Sequence, residues 1–329
     1  MVHDPEDAIA IAGASWPVWR EFALHAEGRQ RLASAMELFH ANTPPHLEAR
    51  LRRGLGELWT NSGAVIRAND EFMQSAELYR ALKDMPQLGA ALSRFAFTSM
   101  MLERNDDAER SIAESLQLLA DAGKPRALAS AYATKVVVED RLGRYNTACA
   151  FGEKAIRLCA AIGAERLRLV VAGNLTEFAL EQGDVDGAVE SGRAIIAELR
   201  DSAHSDVQAF VLGIMVAALT FRGELDEALV TALRAAPLLR EQGMLFELFD
   251  HLALRAVMAG RLAEAARIIG YSDAAHQATN RPREPIGKRA ADRVGILLQD
   301  NLSGDEIAAL KREGAILSED HATTLALSA

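Results

Sequence analysis

The chain has 329 residues, half of them apolar but only 5% aromatic, and a net charge of −10, so its cores must be built from small aliphatic side chains. That charge opposes duplex DNA binding by this segment, because nonspecific affinity comes from neutralising phosphates. No apolar run reaches the ~20 residues that span a bilayer, and the first residues lack a signal peptide's basic start and apolar centre, so a cytoplasmic location is expected.

In chain order, apolar spacing predicts a helix over 5–24 with Pro5 at its start, and a partner over 27–41 that Thr43-Pro44-Pro45 stops. Helices over 46–62 and 65–82 follow, the first with Leu47, Leu51, Leu55, Leu58 and Trp59 on one stripe. The pairs then continue in register: 87–103 with 106–121, 126–142 with 146–161, 165–181 with 185–200, 206–222 with 225–241, and 245–259 with 263–278. A helix near 288–300 and a short acidic turn at Asp305-Glu306 come last. No stretch alternates apolar and polar residues long enough for a strand. The expected fold is all-α, with six to seven antiparallel helix pairs over 1–278 and a helical C-terminal cap over 279–329.

The turns recur. Gly143-Arg144-Tyr145, Gly183-Asp184-Val185 and Gly223-Glu224-Leu225 are spaced at ~40 residues, Gly260-Arg261-Leu262 follows, and Asn105-Asp106-Asp107 keeps the phase without glycine. A counterphase set falls at Gly123, Gly163, Ala203 and Gly243. Glycine after a helix can adopt the left-handed conformation that closes its end, and acidic residues such as Asp184 and Asp186 then suit the positive start of the next helix. A few residues into that helix stands alanine, at 68, 108, 148, 188, 228 and 265. A small side chain at a fixed position predicts a close helix crossing.

Gly183-Asp184-Val185-Asp186-Gly187-Ala188 and Gly223-Glu224-Leu225-Asp226-Glu227-Ala228 resemble the inter-helix signature of tetratricopeptide repeats. The long period, the opening Ile11-Ala12-Gly13-Ala14-Ser15-Trp16 and the tail from Gly260 to Gly270 resemble the C-terminal sensor array of bacterial signal-transduction ATPases. This resemblance implies a right-handed superhelix whose concave groove binds an inducer, a peptide or a partner protein, and so releases an ATPase module for transcriptional control. No Gly-x-x-x-x-Gly-Lys run is present to cradle phosphates, and no basic recognition helix. ATPase and DNA-binding modules are therefore expected elsewhere in a longer protein, and neither ATP hydrolysis nor nucleic-acid binding is expected of this segment.

In such arrays the first helix of each pair lines the groove, and counting back from each turn gives its candidates: Arg50, Arg53, Arg94, Phe97, Thr134, Asn174, Glu177, Phe210 and Ile214. The groove would be basic at its early end, apolar around Phe97, Phe210 and Ile214, and acidic around Glu177, Glu247 and Asp250. Arg94, Thr134, Asn174 and Ile214 stand 40 residues apart and would form one stripe, and alanine at Arg94 or Asn174 is expected to change stability by less than about 1 kcal/mol. Apolar packing and a solvated cationic face are the plainer readings of the same residues. His251 beside Asp250 lacks a nucleophile that would make it a catalytic pair. Cys149 and Cys159, ten residues apart on one helix, lie ~15 Å apart along its axis and cannot bridge. No catalytic residue, metal or cofactor is expected. A free-standing scaffold for protein–protein interaction is the alternative, and an enzyme on an α-solenoid a lesser one.

Overall fold

The turns behave as their residues predict. In the computed structural model, which describes residues 5–22, 24–61, 63–200, 204–279 and 281–328, Gly183 and Gly223 hold φ near +90°. At each, the glycine N–H donates three residues back and the next N–H five residues back: Gly223 to Thr220, Glu224 to Leu219, Gly183 to Leu180 and Asp184 to Ala179. These two bonds close a helix whose last carbonyls have no further partners. Where glycine is missing, Lys83 and Glu103 take the left-handed conformation themselves, at φ 57° and 58°, and make the same pair of bonds. Asp184 then accepts from Gly187 N at 3.0 Å to start the next helix. The turn expected at Ala203 lies outside the described residues.

Two compact units divide the chain, Met1–Val171 and Ala172–Ala329. The first holds α1 (Pro5–Glu21), α2 (His25–Met36), α3 (Pro45–Asn61), α4 (Val65–Leu82), α5 (Met85–Met101), α6 (Asn105–Ala120), α7 (Pro125–Arg141) and α8 (Tyr145–Ala161). Within it each helix packs on the next, and α1 on α3 and α5 on α7 as well, so the odd-numbered helices make one layer. The unit boundary falls inside α9 (Glu165–Glu181). Among the described residues no strand occurs.

The alanine series closes these contacts: Ala68, Ala108, Ala148, Ala188, Ala228 and Ala265 are all fully buried. Unit 1 repeats a polar contact too. Ser75 donates to the Ala49 carbonyl at 2.8 Å and Ser115, forty residues on, to the Gly89 carbonyl at 2.7 Å, tying each second helix to the first helix of its pair.

The second unit holds α10 (Val185–Leu199), α11 (Ser205–Arg222), α12 (Leu225–Glu241), a 3-10 turn (Leu245–Leu248) running into α13 (Phe249–Met258), and α14 (Leu262–Thr279). Then come α15 (Pro285–Gln299), α16 (Gly304–Ala315) and α17 (Glu319–Leu327). α11 alone is long and apolar enough to cross a membrane among the described helices, yet most of it is buried inside the unit. A helix apolar on every side is one covered on every side: α10, α12 and α13 pack around it, and Ile286 of α15 joins its cluster with Ile214 and Ala217. α14 and α16 cross so closely that a Cβ on Gly314 would stand 1.9 Å from the Arg267 carbonyl oxygen, and one on Gly270 2.2 Å from that of Lys311.

Three expectations need correction. α2 ends at Met36, not 41, because Thr43 and His40 side chains accept from His40 N and Asn42 N and hold a local turn in place of helix. Asp305-Glu306 is the first turn of a helix, not a free turn. Ser303 and Glu306 cap each other's backbone there in a reciprocal box. α17, started by Ser318 accepting from His321 N, extends the tail by one more helix.

Candidate functional site

In unit 1 one of the expected positions, Arg94, meets a buried carboxylate. Glu57 of α3, 5% exposed, lies 3.0 Å from Arg94 Nε of α5 and 3.7 Å from Arg20 of α1. Arg94 is fixed from its other side by aromatic rings, its guanidinium 5.0 Å from the Phe97 ring centre and 5.5 Å from that of Phe72. A cation over an aromatic face is attracted by the ring quadrupole, and the planar fork keeps unused N–H groups for a second acceptor. Arg53, half-buried, donates to Gln87 at 2.8 Å, while Arg50 on the same helix is exposed. Phe97 remains half-buried. The result is a preorganised cationic and aromatic patch, with one carboxylate at its base.

The geometry changes one expectation about Arg94. Truncating it would strand Glu57, a carboxylate out of water, with only the longer contact to Arg20. Breaking a buried pair costs several times what a surface pair is worth, so Arg94 also supports the fold. Arg52, between these cations in sequence, is spent on Glu48 at 2.8 Å and Glu71 at 3.0 Å, and burial pushes Glu71 above the usual carboxylate range.

The other candidates are placed as follows. Thr134 of α7 is 4% exposed and accepts from Ser93 at 3.1 Å, so its hydroxyl joins α5 to α7. In unit 2, Phe210 lays its ring where a Cβ on Gly173 would stand, 2.8 Å away, and so fills the contact between α9 and α11. Ile214 is 6% exposed, in the cluster that includes Ile286. Asn174 and Glu177, on the part of α9 in unit 2, are half-buried. Of the candidates, Arg94 and Phe97 are in contact in unit 1, while Thr134, Phe210 and Ile214 serve packing contacts.

Sequence reasoning put Asp250 in an acidic groove and missed the partners that bury it in the charged centre of unit 2. Asp250, 1% exposed, accepts from Ser272 at 2.7 Å and from Arg283 Nε at 2.8 Å, with His276 Nε2 at 3.6 Å. Burial would raise its pKa, but the His276, Arg283 and Ser272 contacts outweigh it and hold the carboxyl below its ordinary value. His251 does not join this group. It is 8% exposed with Nδ1 unpartnered among the described residues, and burial pushes its pKa to about 4, Asp250 opposing and Arg289 assisting. Glu247 is pushed to about 7 by burial and by Glu284. The Asp250 set reads as an internal clamp, its carboxylate oxygens taken up by Ser272 and Arg283. Among the described residues no group of three or more His, Cys, Asp and Glu side chains is placed to hold a metal ion.

No protein-family model matches the sequence, and no curated protein matches it. Solved structures do resemble it. Aspartyl phosphate phosphatase F from Bacillus subtilis is similar with a TM-score of 0.62 at 10% identity, over 96% of this chain and 96% of that one. A Rap protein complexed with competence and sporulation factor gives 0.58 at 12% identity, over 94% and 99%. NprR in complex with its cognate peptide NprX gives 0.57 at 14% identity, over 84% and 82%. Identities this low carry the fold alone, that of a tetratricopeptide-like helical solenoid.

Proposed function

We propose that the chain is a recognition domain that binds a peptide or a segment of a partner protein on the odd-helix face of unit 1, and that this binding regulates an attached or associated effector. The observation that carries the reading is Arg94, held between Phe72 and Phe97 and pinned to Glu57, with Arg53 and Arg50 on the neighbouring helix. A peptide offers what this patch recognises: backbone carbonyls or carboxylates for the guanidinium groups, and an apolar side chain for the exposed edge of Phe97. Rigid placement of the recognising groups before binding reduces the entropy lost on association. Repeat arrays present extended surfaces of this kind. Two of the similar structures were solved as complexes, the Rap protein with competence and sporulation factor and NprR with its cognate peptide.

The finer reading is a sensor array of a bacterial transcriptional regulator of the signal-transduction ATPase type, acting in the cytoplasm. It is supported by the resemblance of the opening residues and of the Gly260–Gly270 segment. Binding rather than catalysis is favoured because the buried charged groups are committed to one another.

The test is selection of binders from a random peptide library on the full chain, followed by titration against wild type and Phe97→Ala. The reading expects enriched peptides whose affinity falls about tenfold or more in Phe97→Ala with the fold unchanged, the loss of one well-packed aromatic contact. Equal affinity for both proteins, or a selection that enriches nothing, contradicts it.

A further inference from the structure

α15 differs from its neighbours in how it is held. Ile286, Ala290, Val294 and Leu298 form its buried stripe, and Lys288, Asp292, Arg293 and Ile296 face solvent. The stripe packs on α11 and α13, and on α11 it shares a cluster with Ile214, one of the positions expected to line the groove. Ile286 clusters with Ile214 and Ala217, while Val294 and Leu298 join the cluster of Leu252, Leu254 and Val257. Arg289 of α15 stacks 4.1 Å from the Phe221 ring centre and donates to the Leu180 carbonyl at 3.2 Å. A segment of this chain therefore occupies the surface where a ligand of unit 2 would sit.

That seat is poorly compensated. Arg289 is drawn out of water against a ring and a carbonyl, and burial, with Arg293 assisting, pulls its pKa down although Glu181 opposes. The other buried polar group here, His251, has its Nδ1 unpartnered. A buried polar group without a partner favours whichever state returns it to water. The entry to α15 is tied down quite differently. Arg283 bridges Asp250 and Asp273 at 2.8 and 2.7 Å, and the Arg281 carbonyl lies 3.0 Å from His276 Nδ1. Gly287 passes so close that a Cβ there would lie 3.2 Å from Asp250 Oδ2. A strong clamp at one end, and along the rest an apolar stripe flanked by poorly partnered polar groups, suit an element that swings out on a fixed hinge.

We propose that α15 is a releasable intramolecular plug, hinged at the Arg283–Asp250 clamp, and that its withdrawal opens Ile214, Ala217, Phe221 and His251 as a seat for an amphipathic partner helix with α15's own pattern. That pattern is apolar at every fourth residue, as at 286, 290, 294 and 298, with a cation three residues after the first. The plug stands independently of the function proposed for unit 1.

Hydrogen exchange on the full chain, read by mass spectrometry, tests release. Amides of 285–299 should exchange about tenfold faster than those of α13 and α14, as local opening at lower free energy requires. Phe221→Ala, which removes the ring under Arg289, should speed exchange of 285–299 further and leave α13 and α14 unchanged. A fluorescent synthetic peptide of residues 284–300 should bind Arg289→Ala protein, whose seat keeps the Phe221 ring, in trans with affinity at least about tenfold above that for wild type. Exchange of α15 at the rate of α13 and α14 in wild type overturns the proposal, as does loss of protection throughout unit 2 in Phe221→Ala. Failure of the peptide to bind Arg289→Ala protein overturns the seat.

Discussion

Replacing Ala188 by leucine tests whether the repeat is held by close helix crossings. Ala188 is fully buried in α10, in a cluster with Leu180, Met215, Ala218, Leu219 and Ala228, and alanine occupies the matching position of every repeat from 68 to 265. Three added carbons meet occupied space on all sides. Overpacking of this kind costs ~1–3 kcal/mol. With an m-value of ~3 kcal/mol/M, the urea midpoint should fall by roughly 0.3–1 M. Ala194 provides the control, being exposed on the same helix. Leucine there changes propensity little and touches little, so the midpoint should move by less than ~0.2 M, equivalent to within about 0.5 kcal/mol. Both variants are to be unfolded in urea in parallel, followed by far-ultraviolet circular dichroism. Equal shifts for the two, or an unshifted midpoint for Ala188→Leu, would refute the reasoning that small side chains set the helix spacing.

Four further outcomes are expected. Glu103→Gly and Lys83→Gly should each raise stability by ~0.5–1 kcal/mol in thermal melts, because both positions hold the left-handed conformation that costs an L-residue ~1–2 kcal/mol before glycine's greater unfolded entropy is subtracted; a destabilised variant would contradict this. Arg94→Ala should destabilise unit 1 by ~2–4 kcal/mol and Arg94→Ala/Glu57→Gln by clearly less, since the loss comes from a stranded buried carboxylate; equal losses in denaturant melts would show otherwise. Gly314→Ala should disrupt the packing of α16 on α14, because the new Cβ meets the Arg267 backbone, which cannot move aside as a side chain can; unchanged exchange protection of 304–315 would count against it. The pH dependence of unit 2 has two opposed slopes. His251 has a folded pKa near 4 against an ordinary 6.5, so its contribution is lost as pH falls from 6.5 to 4. Glu247 has a folded pKa near 7 against 4.5, so its contribution is present at low pH and lost as pH rises from 4.5 to 7. His276, raised above 6.5, adds a loss on the alkaline side, and Asp250, lowered from 3.8, acts only in stronger acid. Glu247→Gln should therefore steepen the acid loss between pH 6.5 and 4.5, and His251→Gln should reverse its sign; identical profiles for wild type and both variants would refute the assignment.

The repeat was legible because its devices are local. A glycine with positive φ, a carboxylate at a helix start and an alanine at a crossing each act within one turn of their own position, so Gly183, Asp184 and Ala188 declare themselves in a single stretch. Ser303-x-x-Glu306 was equally local, and its capping box could have placed the start of α16 from the sequence. The site was only half legible. Counting from the turns selects a helix face, and Arg94 and Phe97 do share one. The same counting cannot say what covers that face. Thr134 is taken by Ser93 on the adjacent helix, and Ile214 by Ile286, a residue 72 positions further on. Phe72, which helps to hold Arg94, comes from a second helix that the groove rule omits. The Asp250 clamp joins residues 22 to 33 positions apart on α13, α14 and the segment before α15, a separation at which helical periodicity carries no information.

A photo-crosslinking residue placed at Phe97, with a second version placed at Arg110 on the exposed side of α6, tests the recognition surface most directly. Each protein is illuminated with a peptide selected on the wild-type chain, and the crosslinked position is read by mass spectrometry. The account predicts crosslinking from position 97, competed by unlabelled peptide, and none above background from position 110. Crosslinking from 110 with position 97 silent would contradict it.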